Sequence, residues 1–278
     1  MHPQRRAPTA RALAAKVLTR IERDQAFAST LLDAELERAV QLSPADRRLA
    51  TELVYGVLRC ERALDSRITK HARKGIDDVE VLMHLRIAAY QIAILERIPA
   101  FAAVSEAVDL VGEARGPYVA RFANAVLRRV AADVQECGRI SKNDAAKFSL
   151  DPRLVQRVAD ALGGEEMAYA MFCAEHGPPP LGLRVFTDQD VESFRQVLVK
   201  AIPGLRARRG RVAPRALCVT GSGRPNDLPG FESAWSVQEE GSQVVGESLS
   251  ARHGDVVLDA CAGRGNKALL LAEKVGQT

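Results

Sequence analysis

The sequence predicts a multidomain protein in which an all-helical domain precedes a small α+β part and the beginning of an α/β domain. Three observations lead to this fold class. Apolar residues recur at helical spacing from residue 9 to residue 130, and no strand pattern interrupts them. After residue 180 the period changes, and short apolar runs alternate with a helical segment. From residue 255 onward, aliphatic residues, an acidic residue and two glycines are typical of a strand, a tight turn and a helix start.

The first predicted helix is amphipathic and basic. Its apolar face is formed by Leu13, Val17, Leu18 and Ile21. This arrangement leaves Arg11, Arg20 and Arg23 available to solvent. A second helix follows, and its apolar residues are Leu31, Leu32 and Leu36.

The next two helices have clear start signals. Ser43 is a predicted N-cap, with Pro44 at the first helical position. Two aspartates at residues 77–78 open a helix that is apolar around more than half of its circumference. We therefore predict that this helix lies at the centre of a bundle. A shorter helix and one further helix complete a domain predicted to span residues 1–140.

An accessory α+β subdomain is predicted between residues 141 and 235. We interpret the polar residues 141–143 as a linker. Two helices follow. Glycines 163–164 end the first, and the second runs to about residue 175, before the Gly-Pro-Pro-Pro sequence at residues 177–180. The predicted strands and the helix among them lie at residues 181–186, 191–201 (the helix), 217–219 and 234–237.

A nucleotide-type cofactor site is predicted in the third part, residues 236–278. A helix near residues 238–249 leads through a turn into a buried strand at residues 256–258, which ends at Asp259. Glycines in the following turn allow the backbone to approach a ligand closely, and free N–H groups at a helix start favour a carboxylate or phosphate. The same stretch is also consistent with a strand, turn and helix that bind no ligand.

The composition is that of an ordinary globular protein, with 47% hydrophobic and 27% charged residues. The sequence has no apolar run long enough to cross a bilayer and no signal peptide at its start, so we expect a cytoplasmic protein. Its five cysteines are scattered and have no C-x-x-C spacing, which favours reduced thiols over disulfides or a zinc site. The histidines share no metal-ligand spacing. We expect a monomer without a metal.

Basic residues are clustered, although the net charge is only +4. The clusters consist of Arg5, Arg6, Arg11, Lys16, Arg20 and Arg23, and of Arg206, Arg208, Arg209 and Arg211. Such clusters suit a phosphate backbone, but they are equally consistent with a solvated protein face.

Several spaced motifs in the helical domain resemble the NusB-like RNA-binding domain of bacterial 16S rRNA (cytosine-C5) methyltransferases. They are residues 52–59 (ELVYGVLR), 64–65 (LD), 89–91 (AYQ), 97–99 (RIP), 104–108 (VSEAV) and 124–129 (NAVLRR). Three later motifs look like the approach to that family's catalytic domain and its cofactor motif. They are residues 228–231 (LPGF), 237–239 (VQE) and 259–262 (DACA).

The resemblance implies a Rossmann-like domain that uses S-adenosylmethionine to methylate 16S rRNA, as does the type acting at cytosine 967. The implied cofactor loop consists of Cys261, Ala262, Gly263, Arg264, Gly265, Asn266 and Lys267. The family usually has Ala-Pro-Gly-Gly-Lys at the last five of these places. Arg264 in place of proline loosens the turn, and Asn266 in place of glycine adds a side chain, although asparagine tolerates a left-handed backbone.

Methylation of C5 requires activation of the cytosine, because that carbon is a poor nucleophile. The resemblance implies that one cysteine thiolate attacks C6 and that a second cysteine assists release of the adduct. Both catalytic cysteines are expected beyond Thr278. We assign Cys261 to the cofactor turn. For Cys60, Cys137, Cys173 and Cys218, which lie in helical or strand patterns, we predict buried positions.

A single strand and helix cannot bury their own apolar faces, so we expect the front part of a longer protein or a truncated gene product. Two functions follow as alternatives. The first is an rRNA cytosine-C5 methyltransferase whose front part is inactive alone. The second is a non-catalytic NusB-like module that binds RNA or a protein.

Overall fold

The computed structural model describes residues 9–72, 75–174, 180–221 and 225–276, without the side chains of Cys173, Ala174 and Asp227. It consists of two compact units, residues 1–177 and residues 178–278. The domain boundaries predicted after residues 140 and 235 stay predictions. Arg5, Arg6 and most of the break at residues 177–180 lie outside the described residues, as does the side chain of Cys173.

The first unit is helical over its described residues. Its helices are α1 (Ala10–Asp24), α2 (Ala28–Arg38), α3 (Pro44–Thr69), α4 (Val79–Ala93), α5 (Ala100–Arg115), α6 (Pro117–Cys137), α7 (Lys142–Ser149), α8 (Pro152–Leu162) and α9 (Glu165–Ala174). The predicted start signals are confirmed. Ser43 Oγ accepts a hydrogen bond from Asp46 N at 3.1 Å. Asp78 Oδ1 accepts bonds from the backbone N of Glu80 and Val81 at 3.0 and 3.1 Å.

The central position predicted for α4 is confirmed, since nearly all of its residues are buried. Two of its polar side chains are paired with α3. Arg86 makes two hydrogen bonds of 2.7 Å to the carboxylate of Asp65 on α3. Tyr90 donates a 2.6 Å hydrogen bond to Glu52, also on α3. Buried polar groups require such partners, so these pairs hold α3 against α4.

The linker predicted at residues 141–143 is wrong. Ser141 caps α7, and its Oγ accepts a hydrogen bond from Asp144 N at 3.1 Å. Helix α7 packs on α3, where Ser149 Oγ accepts a bond from Ala63 N at 3.2 Å. A Ser-x-x-Asp sequence before two buried alanines is a helix-start signal, although its polar residues resemble a linker.

The second unit contains a four-stranded antiparallel sheet in the order β2-β3-β1-β4. Its elements are β1 (Leu181–Val185), α10 (Val191–Ala201), β2 (Arg206–Arg209), β3 (Ala216–Thr220), β4 (Trp235–Val237), α11 (Glu240–Ser248) and α12 (Asn266–Val275). Leu183, Val185 and Trp235 form a core with residues of α10. The strands predicted near residues 181, 217 and 234 are confirmed. Strand β2 was not predicted, because its three arginines mask the apolar alternation of a strand.

Gly56 on α3 provides a test of this packing. A Cβ atom there would overlap the ring of Tyr90. We expect Gly56→Ala to lower the free energy of unfolding by about 1–3 kcal/mol, measured by urea denaturation. The matched control is Gly112→Ala in α5, where a Cβ would lie 3.4 Å from the Cβ of Ala120. That variant should be neutral or more stable by up to about 1 kcal/mol. Equal effects of the two substitutions would contradict the close contact with Tyr90.

Candidate functional site

The strand predicted at residues 256–258 is not confirmed. Residues 255–259 have no regular secondary structure, and Val256 and Leu258 are 96% and 88% exposed. A β-strand needs hydrogen bonds from a neighbouring strand, and no described residue pairs with this segment. Residues 256–258 therefore have the apolar sequence of a buried strand, but the described sheet does not include them.

The turn after this segment is well defined. Asp259 Oδ1 accepts a hydrogen bond from Cys261 N at 3.1 Å, and Gly265 N donates to Ala262 O at 2.8 Å. Gly263 and Gly265 have φ angles of 57° and 79°, a left-handed conformation that favours glycine. Both glycines of the candidate loop are thus required by the backbone.

Helix α12 begins directly after the turn and includes the last two candidate residues. No side chain caps its first turn, whose N–H groups have no intrahelical partner. Arg264 and Lys267 are exposed beside this helix start. Free N–H groups, the positive end of the helix dipole and two cations make the helix start suitable for a carboxylate.

Asn266 anchors this helix start to the sheet. Its Nδ2 donates a 2.8 Å hydrogen bond to the carbonyl oxygen of Val237, the last residue of β4. The side chain that departs from the family's glycine pattern therefore has a structural partner, which the sequence did not reveal.

Two ion pairs hold the rest of α12. The guanidinium of Arg184 on β1 is only 2% exposed and donates a 2.7 Å hydrogen bond to Glu273. Lys274 pairs with Glu247 on α11. Leu270 also packs against Gly246 of α11. Together with Asn266, these contacts fix α12, and hence the turn before it, against β1, β4 and α11.

A cavity of about 310 Å³ lies beside the turn and is lined by Val257, Asp259, Ala262, Ala268 and Leu271, among others. Asp259 Oδ2 is buried and has no hydrogen-bond partner among the described residues. A buried carboxylate oxygen is normally hydrogen-bonded, so this atom is available to a donor on a ligand.

The cysteines differ in exposure. Cys60 is buried as predicted, and burial raises the pKa of its thiol to about 11, which makes it a poor nucleophile. Cys218 is partly buried. The prediction for Cys137 is wrong, because it is exposed at the last residue of α6. Cys261 is exposed in the turn.

The described residues contain neither a candidate metal site nor a candidate membrane span. No cluster of three or more His, Cys, Asp or Glu side chains could hold a metal ion there. Within that part of the chain, no helix has both the length and the apolar character of a membrane span.

The basic residues of α1 are largely paired within the first unit, in contrast to the prediction for Arg11. Arg11 donates hydrogen bonds to Gln91 on α4 and Glu106 on α5, at 2.6 and 2.5 Å. Lys16 pairs with the buried Glu35 at 2.6 Å. Burial acts to raise the pKa of Glu35, but the bond from Lys16 and nearby cations outweigh it, so the pKa lies below its ordinary value.

The anchoring role of Asn266 can be tested by hydrogen exchange. Asn266→Ala removes its bond to Val237, so the hydrogen-bonded amides from Leu269 onward in the second turn of α12 should exchange about fivefold faster, for a loss of ~1 kcal/mol. Lys267→Ala, an exposed change in the same turn, should leave exchange unchanged. Equal protection in wild type and Asn266→Ala would show that this bond does not hold the helix.

Comparisons with known proteins agree with this architecture. The NusB family matches residues 8–132. The probable ribosomal RNA small subunit methyltransferase B of Synechocystis sp. is 29% identical, covering 96% of this chain and 61% of that protein. The Bacillus subtilis protein of the same name is 31% identical, covering 95% and 59%. Ribosomal RNA small subunit methyltransferase B of Pseudomonas putida is 30% identical, covering 95% and 60%.

The crystal structure of PH0851 has a TM-score of 0.68 at 20% identity and covers 96% of this chain and 61% of that one, which shows a shared fold. The chain spans about three fifths of the length of the relatives it matches. Similarity over nearly its whole length, together with the NusB match, establishes its family. The chain belongs to the family of the ribosomal RNA small subunit methyltransferase B proteins, and its residues 8–132 form a NusB family domain.

Proposed function

We propose that this chain provides the RNA-binding domain and the cofactor loop of an enzyme that methylates C5 of a cytosine in 16S rRNA, at position 967. The observation that carries the proposal is the order of its parts. A NusB family domain precedes a turn and helix start suited to a carboxylate-bearing cofactor, in a chain about 30% identical to rRNA methyltransferases. Such a substrate implies action in the cytoplasm.

The donor set of the candidate loop fits S-adenosylmethionine. We assign the cofactor's carboxylate to the free N–H groups of α12 and to the charge of Lys267. The unpartnered Oδ2 of Asp259 can accept a hydrogen bond from the cofactor's ammonium group. A side chain at Gly265 would meet no atom within 4 Å, so the space beside the turn is open. When bound, S-adenosylmethionine supplies an electrophilic methyl group.

We assign neither Cys60 nor Cys261 as the nucleophile that C5 methylation requires. The raised pKa of Cys60, about 11, keeps its thiol protonated at neutral pH. Cys261 is exposed, but its backbone N is bonded to Asp259 as part of the turn. We therefore assign Cys261 to shaping the cofactor turn, and the role of the chain to binding and orientation rather than to covalent catalysis.

A second candidate function is a non-catalytic module that binds RNA or protein. The exposed side chains of Val256 and Leu258 favour it. They lie in the segment predicted to form one wall of the cofactor site, and this segment is not paired with another described strand. A site with one wall excludes little water and gains little affinity.

Deleting the gene in its own organism should test the proposed reaction. We expect one 5-methylcytosine of 16S rRNA to disappear, as measured by bisulfite sequencing. A plasmid copy of the whole gene should restore the mark, and so should a copy with Cys261→Ser, because we assign that thiol no covalent step. Retention of every 5-methylcytosine after deletion would refute the proposed activity.

Cofactor titration distinguishes the two candidate functions for the 278-residue chain. With one wall of the site unpaired, we expect calorimetry to give a dissociation constant for S-adenosylmethionine of about 1 mM or weaker, that is, at most ~4 kcal/mol of binding free energy. Micromolar binding, or methyl transfer to small-subunit rRNA by this chain, would show that the described loop is a complete site and would exclude the non-catalytic alternative.

A further inference from the structure

Helix α6 has an exposed stripe that combines an aromatic residue with arginines. Tyr118, Arg121, Arg128 and Arg129 are all exposed, and Tyr118 is 78% exposed. At 1.5 Å per residue, the stripe from Tyr118 to Arg128 is about 15 Å long. Its buried counterpart on the other side of the helix is formed by Ala123, Val126, Leu127 and Val130. Packing of the first unit therefore does not require the exposed residues.

These arginines are not neutralised within the described structure. No ion pair joins Arg121, Arg128 or Arg129 to another described residue, and Arg128 donates only to the neutral Asn124 at 3.1 Å. From residue 117 to residue 132 the helix carries no acidic residue. The cations of α1 differ, because Arg11, Lys16 and Arg20 are each paired with a carboxylate.

A groove between α5 and α6 adds a second aromatic residue to this surface. It has a volume of about 480 Å³, and its lining includes Phe101, Val108 and Asp109 on α5 and Asn124, Arg128 and Ala131 on α6. Phe101 is 77% exposed. An aromatic ring and a guanidinium thus line the same open groove.

We propose that this surface, defined by Phe101, Tyr118, Arg121, Arg128 and Arg129 and named the α6 face, holds a single-stranded segment of RNA. The arginines contact phosphates, and bases stack on the rings of Tyr118 and Phe101. The inference rests on the proposed function for its biological substrate, and it assigns RNA contact to α6 rather than to the basic helix α1.

Single-stranded RNA fits this surface better than a duplex or a protein partner. Unstacked bases can lie on exposed aromatic side chains or guanidinium planes, whereas bases within a duplex cannot. Exposed apolar residues alone would suit a protein. The three arginines, which make no ion pair with another described residue, outnumber the acidic residues beside them, Asp109 and Asp133, and so complement a polyanion.

The test measures binding of a fluorescein-labelled, mixed-sequence RNA by anisotropy over a range of salt concentrations, with a single strand of about 15 nucleotides. The full 278-residue chain is used. Arg121→Gln/Arg128→Gln should weaken binding about tenfold or more at low salt. It should also reduce the slope of log K against log salt by about 1.4, for two lost phosphate contacts.

Two further variants separate charge from stacking. Arg20→Gln/Arg23→Gln on α1 removes the same charge and should change affinity less than about twofold near physiological salt, where screening acts within ~8 Å. Tyr118→Ala should weaken binding about tenfold while leaving the salt slope unchanged, because stacking carries no charge. All substituted side chains are exposed, so folding is retained and is checked by circular dichroism.

Three results would overturn the proposal. The first is that the wild-type chain does not bind RNA, which would leave the α6 face to a protein partner. The second is that the α1 and α6 variants lose equal RNA affinity. The third is that the chain binds the duplex of the same sequence as tightly as the single strand. These outcomes are independent of the gene-deletion result. Persistence of every 5-methylcytosine would remove the proposed reaction without touching RNA binding at the α6 face.

Discussion

The burial of α4 is the constraint on which the helical unit depends. A helix enclosed on nearly all sides needs partners for the polar side chains that it buries, and those of α4 include Arg86, Tyr90 and Gln91. Their partners come from α1 and α3, through Arg11, Asp65 and Glu52. Burial and then the bond to Glu52 raise the pKa of Tyr90, so it stays a neutral donor. The same contacts select the neighbours of α4 and their register.

This constraint also determines which cations remain for a ligand. Arg11 completes the hydrogen bonding of Gln91, and Lys16 balances the buried carboxylate of Glu35, so α1 uses its charge within the fold. Helix α6 contributes only an apolar stripe to the core, and its arginines stay unpaired among the described residues. Electrostatic attraction to a polyanion therefore depends on tertiary pairing more than on the local density of basic residues.

The second unit positions its turn by a different means. Helix α12 has a short apolar face, in which Leu270 and Leu271 are buried, and polar contacts supply much of its attachment. Asn266 and Glu273 reach β4 and β1, and Lys274 reaches Glu247 on α11. Because these anchors lie at both ends of the helix, the turn that precedes it has a defined orientation even though residues 255–259 form no strand.

The sequence by itself determined the helices of the first unit, their caps at Ser43 and Asp78, and the glycine turn before α12, because these depend on residues within a turn of one another. Tertiary structure decided what depends on distant partners. It paired Arg11 with Glu106, 95 residues away, gave Asn266 a partner on β4, and left residues 256–258 without a neighbouring strand in the described part of the chain. Local patterns specify which conformation a segment prefers, whereas pairing and burial depend on which other segments the fold brings beside it.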